Sequence, residues 1–412
     1  MEDSGCMNKA VEIAILGCGP AGLSTALALH QAGFSPRIFE RFEAATAVGS
    51  GLILQPAGLM ALEELGLATR IKELGQPIDR LFGRAEMGRV VLDVAYSDNA
   101  TGDQGVAVHR SAIFGVLHQA AIDAGIPIEL GVNVDRTTKL ADSRVAILDS
   151  QGRSHGPFDL VVDALGSRSP LLPSGAGRLL PYGALWATLL WPNSGFDPRA
   201  LEQRYRGAGR MVGVMPIGRR HAGDDNHAAF FWSLKPDTQG NGLDDGLDAW
   251  KYQVMELWPE TISLLSQIRS PGQLHLARYR HHTARPVRDR PLVRVGDAAH
   301  STSPQLGQGV NMALLDACAL ASAMQSETDI PSALTSYHRQ RRLHVALYQA
   351  ASTAFTPFYQ SDFRILPWIR DTIVPPLAQM RISRRLLATL VSGTLGLPRT
   401  QQHRQQTGRS GS

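Results

Sequence analysis

The chain has 412 residues, 43% hydrophobic and 19% charged, an ordinary balance for a folded protein of two or more domains. No apolar run is long enough to span a membrane, and the start MEDSGCMNKA lacks the basic and apolar regions of a secretory signal. The three cysteines form neither a CxxC nor a zinc pattern, which favours free thiols in a reducing compartment. We therefore expect a cytoplasmic protein with no bound metal and no nucleic-acid partner.

The net charge of +4 is concentrated near the C-terminus. From Arg339 onward the sequence holds eleven arginines, no lysine and two acidic residues, Asp362 and Asp371. The rest of the chain is slightly acidic, so any electrostatic attraction to an anionic partner belongs to this last segment.

The first predicted elements form a β-α-β unit. Residues 11–16 are a short β-rich run that leads into GCGPAG, a helical segment follows to Gly33, and the strand PRIFE closes on Glu40. Further helices are predicted at PAGLMALEELG and at SAIFGVLHQAAIDAG, where Ser111 caps the start and Gly125 the end.

The pattern then changes to strands. Residues 127–162 read as a β-meander with a DSQGR turn, and 178–280 hold strand-like runs, most of the tryptophans and the loop DTQGNGLDDG. A strand and turn return at PLVRVGDAAH, followed by a helix over 309–324 and further helical sequence to about 397. The polar end TQQHRQQTGRSGS is expected to be disordered.

Gly17, Gly19 and Gly22 form a G-x-G-x-x-G motif between a strand and a helix. The first glycine permits a tight turn, the second lets backbone approach a pyrophosphate, and the third lets helix pack on strand. Glu40, eighteen residues after Gly22, stands where an acid can bind a ribose hydroxyl. The motif predicts a dinucleotide site, and its single copy leaves open whether a nicotinamide or a flavin is bound.

The stretch VGDAAHSTSPQLGQGVNMALLDA favours a flavin. A predicted strand ends at a turn that carries Asp297, and the Asp297 carboxylate could accept a hydrogen bond from a polyol hydroxyl. Pro304, Gly307 and Gly309 then form a loop with little side-chain bulk, suited to a planar ring, and the helix that follows directs N–H groups at it. The alternative is a tight strand-helix junction in which Asp297 is only a helix cap.

Together these motifs resemble the class A FAD-dependent monooxygenases, the family of para-hydroxybenzoate hydroxylase. GCGPAG with Glu40, HRSAIFGVLHQA around Arg110, and GDAAH followed by Pro304 and GQGxN match the family's motifs in order and spacing. The resemblance implies an α/β fold: a Rossmann-like FAD-binding domain of the glutathione-reductase type, an inserted β-sheet substrate domain and C-terminal helices. The implied division is 9–75, 102–177 and 281–345 for the FAD-binding domain, 76–101 and 178–280 for the substrate domain, 346–398 for a C-terminal helical segment, and 399–412 for the tail.

The resemblance also implies where FAD would lie. Its adenosine would be near Glu40 and Arg41, Arg110 would contact the ribityl or phosphate region, Asp297 would contact the ribityl chain, and residues 304–311 would run beside the isoalloxazine. The implied cofactor-binding residues are Gly17, Gly19, Pro20, Ala21, Gly22, Glu40, Arg41, Arg110, Gly296, Asp297, Pro304, Gly307, Gln308, Gly309, Val310 and Asn311.

The implied reaction is hydroxylation or epoxidation of a small apolar, aromatic substrate. NAD(P)H would bind transiently as co-substrate and reduce the flavin, and O2 would give a flavin hydroperoxide that transfers one oxygen atom. No side-chain catalyst is obligatory; the weak candidates for a base are His221, His227, Tyr182 and Tyr205, each better explained as an ordinary surface or core residue. The histidines His275, His281 and His282 have no standard metal-site spacing.

Three other functions remain open on the sequence. A flavoprotein oxidase or reductase of the same fold inserts no oxygen, a flavin-dependent halogenase is disfavoured because no WxWxIP run is present, and a flavin-binding protein could have no catalytic role. Purification as a yellow protein, and bleaching of that colour by NADH or NADPH, discriminate among them.

Two features go beyond the general family pattern. The segment LAQMRISRRLLATLV places Met380, Leu387, Leu390 and Val391 on one helical face with arginines opposite, so it either packs on the FAD domain or contacts an anionic membrane surface from the cytoplasmic side. In DLVVDALGSRS, Leu165 stands where the resemblance implies an aspartate linked to FAD placement and NAD(P)H handling. Asp163 could substitute only by reaching about two residues further along the strand.

Overall fold

The computed structural model describes residues 10–43, 50–99, 101–236, 243, 245–373 and 380–397. Within these residues the strands are β1 Glu12–Leu16, β2 Ser35–Phe39, β3 Gly51–Leu54, β4 Gln76–Ile78, β5 Arg80–Ala85, β6 Val90–Ala95, β7 Gly105–His109, β8 Ile128–Glu129, β9 Val134–Lys139, β10 Val145–Asp149, β11 Ser154–Phe158, β12 Leu160–Asp163, β13 Arg178–Leu190, β14 Ala200–Arg206, β15 Arg210–Pro216, β16 His227–Leu234, β17 His275–His281 and β18 Leu292–Arg294. The α-helices are α1 Pro20–Gln31, α2 Pro56–Glu64, α3 Ala68–Leu74, α4 Arg110–Asp123, α5 Leu247–Leu257, α6 Ile262–Leu265, α7 Asp297–His300, α8 Gly309–Ser326, α9 Ile330–Tyr359, α10 Ile365–Thr372 and α11 Arg381–Val391.

A parallel five-stranded sheet of order β18-β12-β1-β2-β8 forms the first layer. Alternate side chains of β1 point to opposite faces. Ile13 and Ile15 pack with α1, α4 and α8, whereas Ala14 and Leu16 pack under the meander β9–β11. The sheet is therefore buried on both sides, which is typical of a parallel sheet and confirms the α/β prediction.

A second, seven-stranded sheet has the order β17-β13-β16-β15-β14-β5-β6. It combines β5 and β6 with strands that come much later in the chain, and β14 joins the two groups by pairing parallel to β5. One face packs on Trp250, Val254 and Trp258. Gly51 of β3 meets the other face so closely that an added Cβ would lie 2.4 Å from the Ile217 side chain, which places the flavin-domain chain directly against this sheet.

Three details of the prediction are corrected. The boundary at 345 falls inside one continuous helix, α9, because the helical pattern continues to Tyr359. Helix α4 is capped by the His109 side chain, which accepts a hydrogen bond from the Ser111 amide, rather than by Ser111. Met380 is an exposed residue at the start of α11, outside the buried face formed by Ala388, Leu390 and Val391.

The tail 399–412 and most of the DTQGNGLDDG loop lie outside the described residues. Among the helices that the structure describes, none combines the length and the apolar character needed to cross a bilayer.

Candidate functional site: a dinucleotide cleft

The candidate site lies where three neighbouring strands end. Leu16 of β1 is paired with Asp163 of β12, and Asp163 is paired with Arg294 of β18. The turns that follow these strands therefore stand side by side at the carboxyl edge of the sheet, which is where ligands bind in open α/β folds. The sequence placed these turns more than a hundred residues apart, and register brings them together.

The first turn, at the end of β1, has one open position. Gly17 has a φ of +101°, and a Cβ there would lie 2.8 Å from the Ala164 carbonyl. A Cβ on Gly22 would lie 1.9 Å from the Gly17 carbonyl, so this position must be glycine for α1 to pack on the turn. A Cβ on Gly19 meets nothing within 4 Å. The space beside Gly19 is therefore not filled by the protein's own packing and is open to a ligand.

The N-terminus of α1 is free to bind an anion. Gly19 is its N-cap, no side chain caps it, and its first turn contains no acidic residue. Pro20 at the first helical position lacks an N–H, and the amides that follow carry the positive end of the helix dipole.

Glu40 lies behind this turn, at the end of β2. Its carboxylate accepts hydrogen bonds from the Cys18 amide at 2.8 Å and the Phe42 amide at 3.1 Å. Burial, together with the negative charge of Glu40, raises the pKa of the Cys18 thiol to about 12, so this cysteine stays protonated at neutral pH. The Arg41 guanidinium stacks 4.5 Å from the centre of the Phe42 ring.

The second turn carries Gly296 and Asp297. Gly296 has a φ of +57°, and a Cβ there would lie 3.0 Å from Ala21 and 3.1 Å from Ala313, so this turn touches both α1 and α8. The Asp297 side chain is exposed along the cleft. Protein atoms nevertheless surround the cleft on its other sides, and this desolvation raises the pKa of the Asp297 carboxyl against the opposing charges of His300 and Arg110.

The loop before α8 is fixed by side chains that point away from the cleft. The Asn311 amide accepts a hydrogen bond from the Gln55 amide at 2.9 Å and donates to Ile53 and Gly307 carbonyls. Gln308 is buried and donates to the Val391 carbonyl at 2.7 Å. Gly309 leaves room at the start of α8, where an added Cβ would lie 3.7 Å from Asp297 Oδ1. Pro304 is exposed and Val310 half-buried, so this loop presents mainly backbone to the cleft.

A buried ionic network supports the second turn, and the sequence analysis missed it. Asp316 of α8 accepts hydrogen bonds from the Gly296 amide at 2.8 Å, from His300 Nε2 at 2.6 Å and from Arg341 Nε at 2.7 Å. Burial favours the neutral acid, but the charges of His300 and Arg341 dominate and hold the pKa of Asp316 below its usual range. The available signal was an acid within the apolar run NMALLDACALASAM, which requires a buried partner.

Arg110, the first residue of α4, stands at the open end of the cleft. Its backbone amide donates to Ser50, and its exposed side chain is close enough to lower the pKa of both Asp297 and Tyr279 against the larger effect of burial. The preceding residue, His109, is buried, and desolvation and the nearby Arg220 lower its pKa to about 4. Its neutral Nδ1 can therefore accept the Ser111 amide.

Leu165 is half-buried and packs beside the apolar cluster under the meander. Asp163 does not take its place. Asp163 is fully buried, its Oδ1 accepts from the Leu165 amide at 3.1 Å, and its Oδ2 accepts from the Ser169 hydroxyl at 2.8 Å. Both oxygens hold the turn itself, with the Arg294 guanidinium 3.6 Å away, so no carboxylate from this strand reaches the cleft.

The structure does not bring the four candidate bases to this cleft. His221 lies on an exposed loop beside Asp224 at 3.2 Å, and His227 begins β16, where burial lowers its pKa. Tyr182 is buried and donates to Asp362 at 2.7 Å, and Tyr205 is buried and donates to Gln203 at 2.7 Å. Burial raises the pKa of both phenols, so neither is a ready base near neutral pH.

The residues present fit FAD. The open position at Gly19, the uncapped helix that follows it and the accessible carboxylate of Asp297 lie along one cleft, as an extended pyrophosphate and polyol require. Over the described part of the chain, no group of three or more His, Cys, Asp or Glu residues is arranged to hold a metal ion.

Comparison with known proteins agrees with this fit. The FAD binding domain family matches residues 10–169 and 206–352. The chain is 26% identical to the aurachin C monooxygenase/isomerase of Stigmatella aurantiaca, over 92% of this chain and 97% of that protein. It is 28% identical to the FAD-dependent urate hydroxylase of Klebsiella pneumoniae, over 79% and 85% of the two chains.

A solved structure shares the fold. The Klebsiella pneumoniae HpxO complex with FAD and uric acid superposes with a TM-score of 0.78 at 22% identity, covering 94% of this chain and 99% of that one. The chain therefore belongs to the FAD binding domain family, among the class A FAD-dependent monooxygenases, and its cofactor is FAD.

Proposed function

We propose that the protein uses NAD(P)H and O2 to hydroxylate or epoxidise a small apolar, aromatic substrate. The observation that carries the proposal is the alignment of the Gly19 turn, the Asp297 turn and the Gly307–Gly309 loop along one cleft beside an apolar sheet face. When bound, FAD supplies the redox chemistry, taking two electrons from the nicotinamide and using them to activate O2.

In this proposal the chain's own residues hold and orient the cofactor. The α1 amides after Gly19 bind the pyrophosphate, and Glu40 and Arg41 lie towards the adenosine. Asp297 binds a ribityl hydroxyl, since its carboxylate is accessible in the cleft. Arg110 adds positive charge at the phosphate or ribityl region.

The remaining cofactor-binding residues that the resemblance implies shape the cleft around the cofactor. The backbone of Gly307, Gln308 and Gly309 faces the ring, and Asn311 fixes the loop through Gln55. Pro304 and Val310 border the loop, while Pro20, Ala21 and Gly296 shape the two turns.

The side of the seven-stranded sheet that faces β3 supports an apolar aromatic substrate. Trp186 and Phe231 lie with ring centres 4.7 Å apart, and Met215 belongs to the apolar cluster that also contains Ile53. The Trp186 indole N–H donates to the Tyr279 hydroxyl at 3.0 Å, so this indole N–H is paired within the wall. A substrate that depends on apolar contacts is favoured by such a wall.

Leu165, which stands where the resemblance implies an aspartate, affects how the flavin receives electrons from NAD(P)H. A leucine can neither accept a hydrogen bond nor order a charged neighbour. Since both Asp163 oxygens are occupied by the turn, we expect slow or weak reduction by NAD(P)H, or a different electron donor.

Reconstitution with FAD gives the first test. The purified protein is expected to be yellow, and Asp297→Ala is expected to weaken FAD binding about tenfold, the value of one hydrogen bond to a charged group. Asp289→Ala is the matched control, because its side chain is 70% exposed and lies outside the cleft. A wild-type protein that cannot be loaded with FAD would overturn the proposal.

Turnover gives the second test. With ¹⁸O₂, NAD(P)H and an apolar aromatic substrate, one ¹⁸O atom should appear in the product and one in water, with one NAD(P)⁺ formed. Hydrogen peroxide with no oxygenated product would instead identify an oxidase of the same fold. A flavin that no nicotinamide bleaches would indicate another electron donor.

We place the protein in the cytoplasm, with its substrate and O2 as small-molecule partners.

A further inference from the structure

Exposed apolar side chains concentrate at one edge of the seven-stranded sheet. Of the eighteen large hydrophobic side chains exposed among the described residues, half lie in residues 87–90, 363–373 and 380–386. We call these the edge patch; they are Met87, Val90, Phe363, Ile365, Trp368, Ile373, Met380, Ile382 and Leu386.

The elements that carry the edge patch are neighbours. Strand β6 is the last strand of its sheet, and both α10 and α11 pack against it. The Arg89 guanidinium reaches the Thr372 hydroxyl at 3.5 Å, and Arg384 forms a paired contact with Asp98 at 2.9 Å. The patch is therefore one surface built from the β5–β6 hairpin and two amphipathic helices.

The charge of this surface is one-sided. Five acidic residues in the segments around it are held in ion pairs: Glu86 with Arg206 (which also pairs with Glu256), Asp93 with Arg80, Asp98 with Arg384, Asp362 with Lys235 and Asp371 with Arg370. In the same described region, Arg89, Arg364, Arg381 and Arg385 form no ion pair with an acidic side chain. Four uncompensated positive charges thus border an apolar surface.

We propose that the edge patch docks on an anionic lipid bilayer surface. Apolar side chains that enter the boundary between headgroups and acyl chains, with arginines at headgroup level, are the features of an interfacial helix. A second copy of the chain is a poorer occupant, because a two-fold contact would bring the same unpaired arginines face to face.

Helix α11 lies between the docking surface and the apolar cluster beside the candidate site. Its inner residues Ala388 and Val391 join the apolar cluster that contains Ile53 and Met215, while Ile382 and Leu386 face outward. One helix, with a diameter of roughly 10 Å, separates the lipid from that cluster. A membrane-dissolved substrate would therefore be released close to the sheet face; this last step rests on the proposed function, whereas the docking itself does not.

Vesicle binding of the FAD-loaded protein tests the docking. Of the six tryptophans, all of them described, only Trp368 is exposed, so its emission should shift to shorter wavelength with phosphatidylglycerol vesicles and not with phosphatidylcholine vesicles. Trp368→Phe should abolish the shift. Co-sedimentation with the anionic vesicles should weaken in 0.5 M salt, as expected for surface electrostatics.

Two matched pairs of variants assign the contact. Arg381→Ser with Arg385→Ser should weaken binding by about 25-fold, at roughly fivefold for each arginine near the surface. The control Arg70→Ser with Arg269→Ser removes the same charge from exposed positions elsewhere and should have little effect. Ile382→Ser, at a side chain 79% exposed, should weaken binding about tenfold, whereas Ile262→Ser, at one 60% exposed, should not.

The outcomes separate docking from its alternatives. All seven altered positions are exposed, so retained FAD absorbance and melting temperature will verify the fold of each variant. Failure of the wild type to bind anionic vesicles, or equal losses in test and control variants, would overturn the proposal. Concentration-dependent dimerisation that Ile382→Ser abolishes, with no vesicle binding, would assign the patch to a second copy. Each result is independent of whether the enzyme oxygenates any substrate.

Discussion

Replacing Asp316 by asparagine should destabilise the fold and loosen the second turn of the FAD cleft. The carboxylate is fully buried and accepts from three donors: the Gly296 amide, His300 and Arg341. Asparagine retains one acceptor, but its NH₂ group must face a donor, and the buried Arg341 guanidinium loses its counter-charge.

The size of the effect follows from that unpaired charge. Breaking a buried ion pair by removing one partner costs about 3–5 kcal/mol. With an unfolding entropy of about 2.1 cal/mol/K per residue, a chain of 412 residues loses about 3–6 °C of melting temperature. The Gly296 amide also loses an anionic acceptor, so FAD should dissociate faster.

The assay is thermal unfolding at pH 7.5, with and without FAD, alongside the dissociation rate of FAD from flavin fluorescence. Asp93→Asn is the matched control: its pair with Arg80 is equally short, at 2.7 Å, but about half exposed, so it should cost about 1 kcal/mol or less. If Asp316→Asn melts within 1 °C of this control and retains FAD equally well, the network does not support the turn.

The pH dependence of stability gives a second test of the role of Asp316. The pKa of Asp316 is held below its unfolded value, so its stabilisation is fully present above about pH 3.9 and is lost as pH falls further. The stability advantage of wild type over Asp316→Asn should therefore shrink as the pH falls below about 3.9. An advantage that stayed unchanged from about pH 5 to about pH 3 would refute this assignment.

The other predictions concern separate positions. Gly19→Ala should weaken FAD binding but change the melting temperature of the FAD-free protein by no more than about 1 °C, because no atom lies within 4 Å of the new Cβ. Gly22→Ala should instead destabilise the FAD-free protein, because its Cβ would lie 1.9 Å from the Gly17 carbonyl. Equal effects of the two variants in both measurements would argue against the open position as a ligand site. Leu165→Asp should raise the rate of flavin reduction by NAD(P)H about tenfold if a missing charged hydrogen bond limits it, and stopped-flow absorbance showing no gain would count against that view. Burial and the nearby Arg341 charge lower the pKa of His344 to about 4. Since the unfolded chain binds the proton more readily, the contribution of His344 to stability is complete above about pH 6.5 and falls by about 1.4 kcal/mol per pH unit towards pH 4. His344→Gln should reduce this slope, as measured by urea titrations at several pH values.

The parts of this fold that the sequence predicted are those specified by adjacent residues. The β-α-β unit and the role of Gly22 depend on contacts within about twenty residues, and these are visible in spacing alone, whereas Gly17 also meets the distant Ala164 carbonyl. The change in strand pattern indicated a separate sheet-based region over 178–280, whereas the inclusion of 76–101 was implied only by the resemblance. The structure then placed both glycine turns at one edge through strand register.

The parts that the sequence did not predict depend on distant partners. Asp316 and Arg341 lie 25 residues apart on the consecutive helices α8 and α9, and no local pattern pairs them. His109 replaces Ser111 as helix cap because α4 begins at Arg110, which puts the His109 imidazole against the Ser111 amide. Met380 was assigned to the buried face by helical spacing, but the helix begins one residue later.

The C-terminal helix explains why the flavin loop presents backbone rather than side chains. The last carbonyls of a helix lack partners within it and must be satisfied from outside. In α11 the Leu390 carbonyl accepts from the Tyr348 hydroxyl at 2.9 Å, and the Val391 carbonyl accepts from Gln308 Nε2 at 2.7 Å. Ser392 accepts from the Ala57 amide at 3.0 Å. Because the Gln308 side chain is committed to this helix end, the main chain of Gln308 is what it can present to the cleft, and the same helix joins the edge patch to the site.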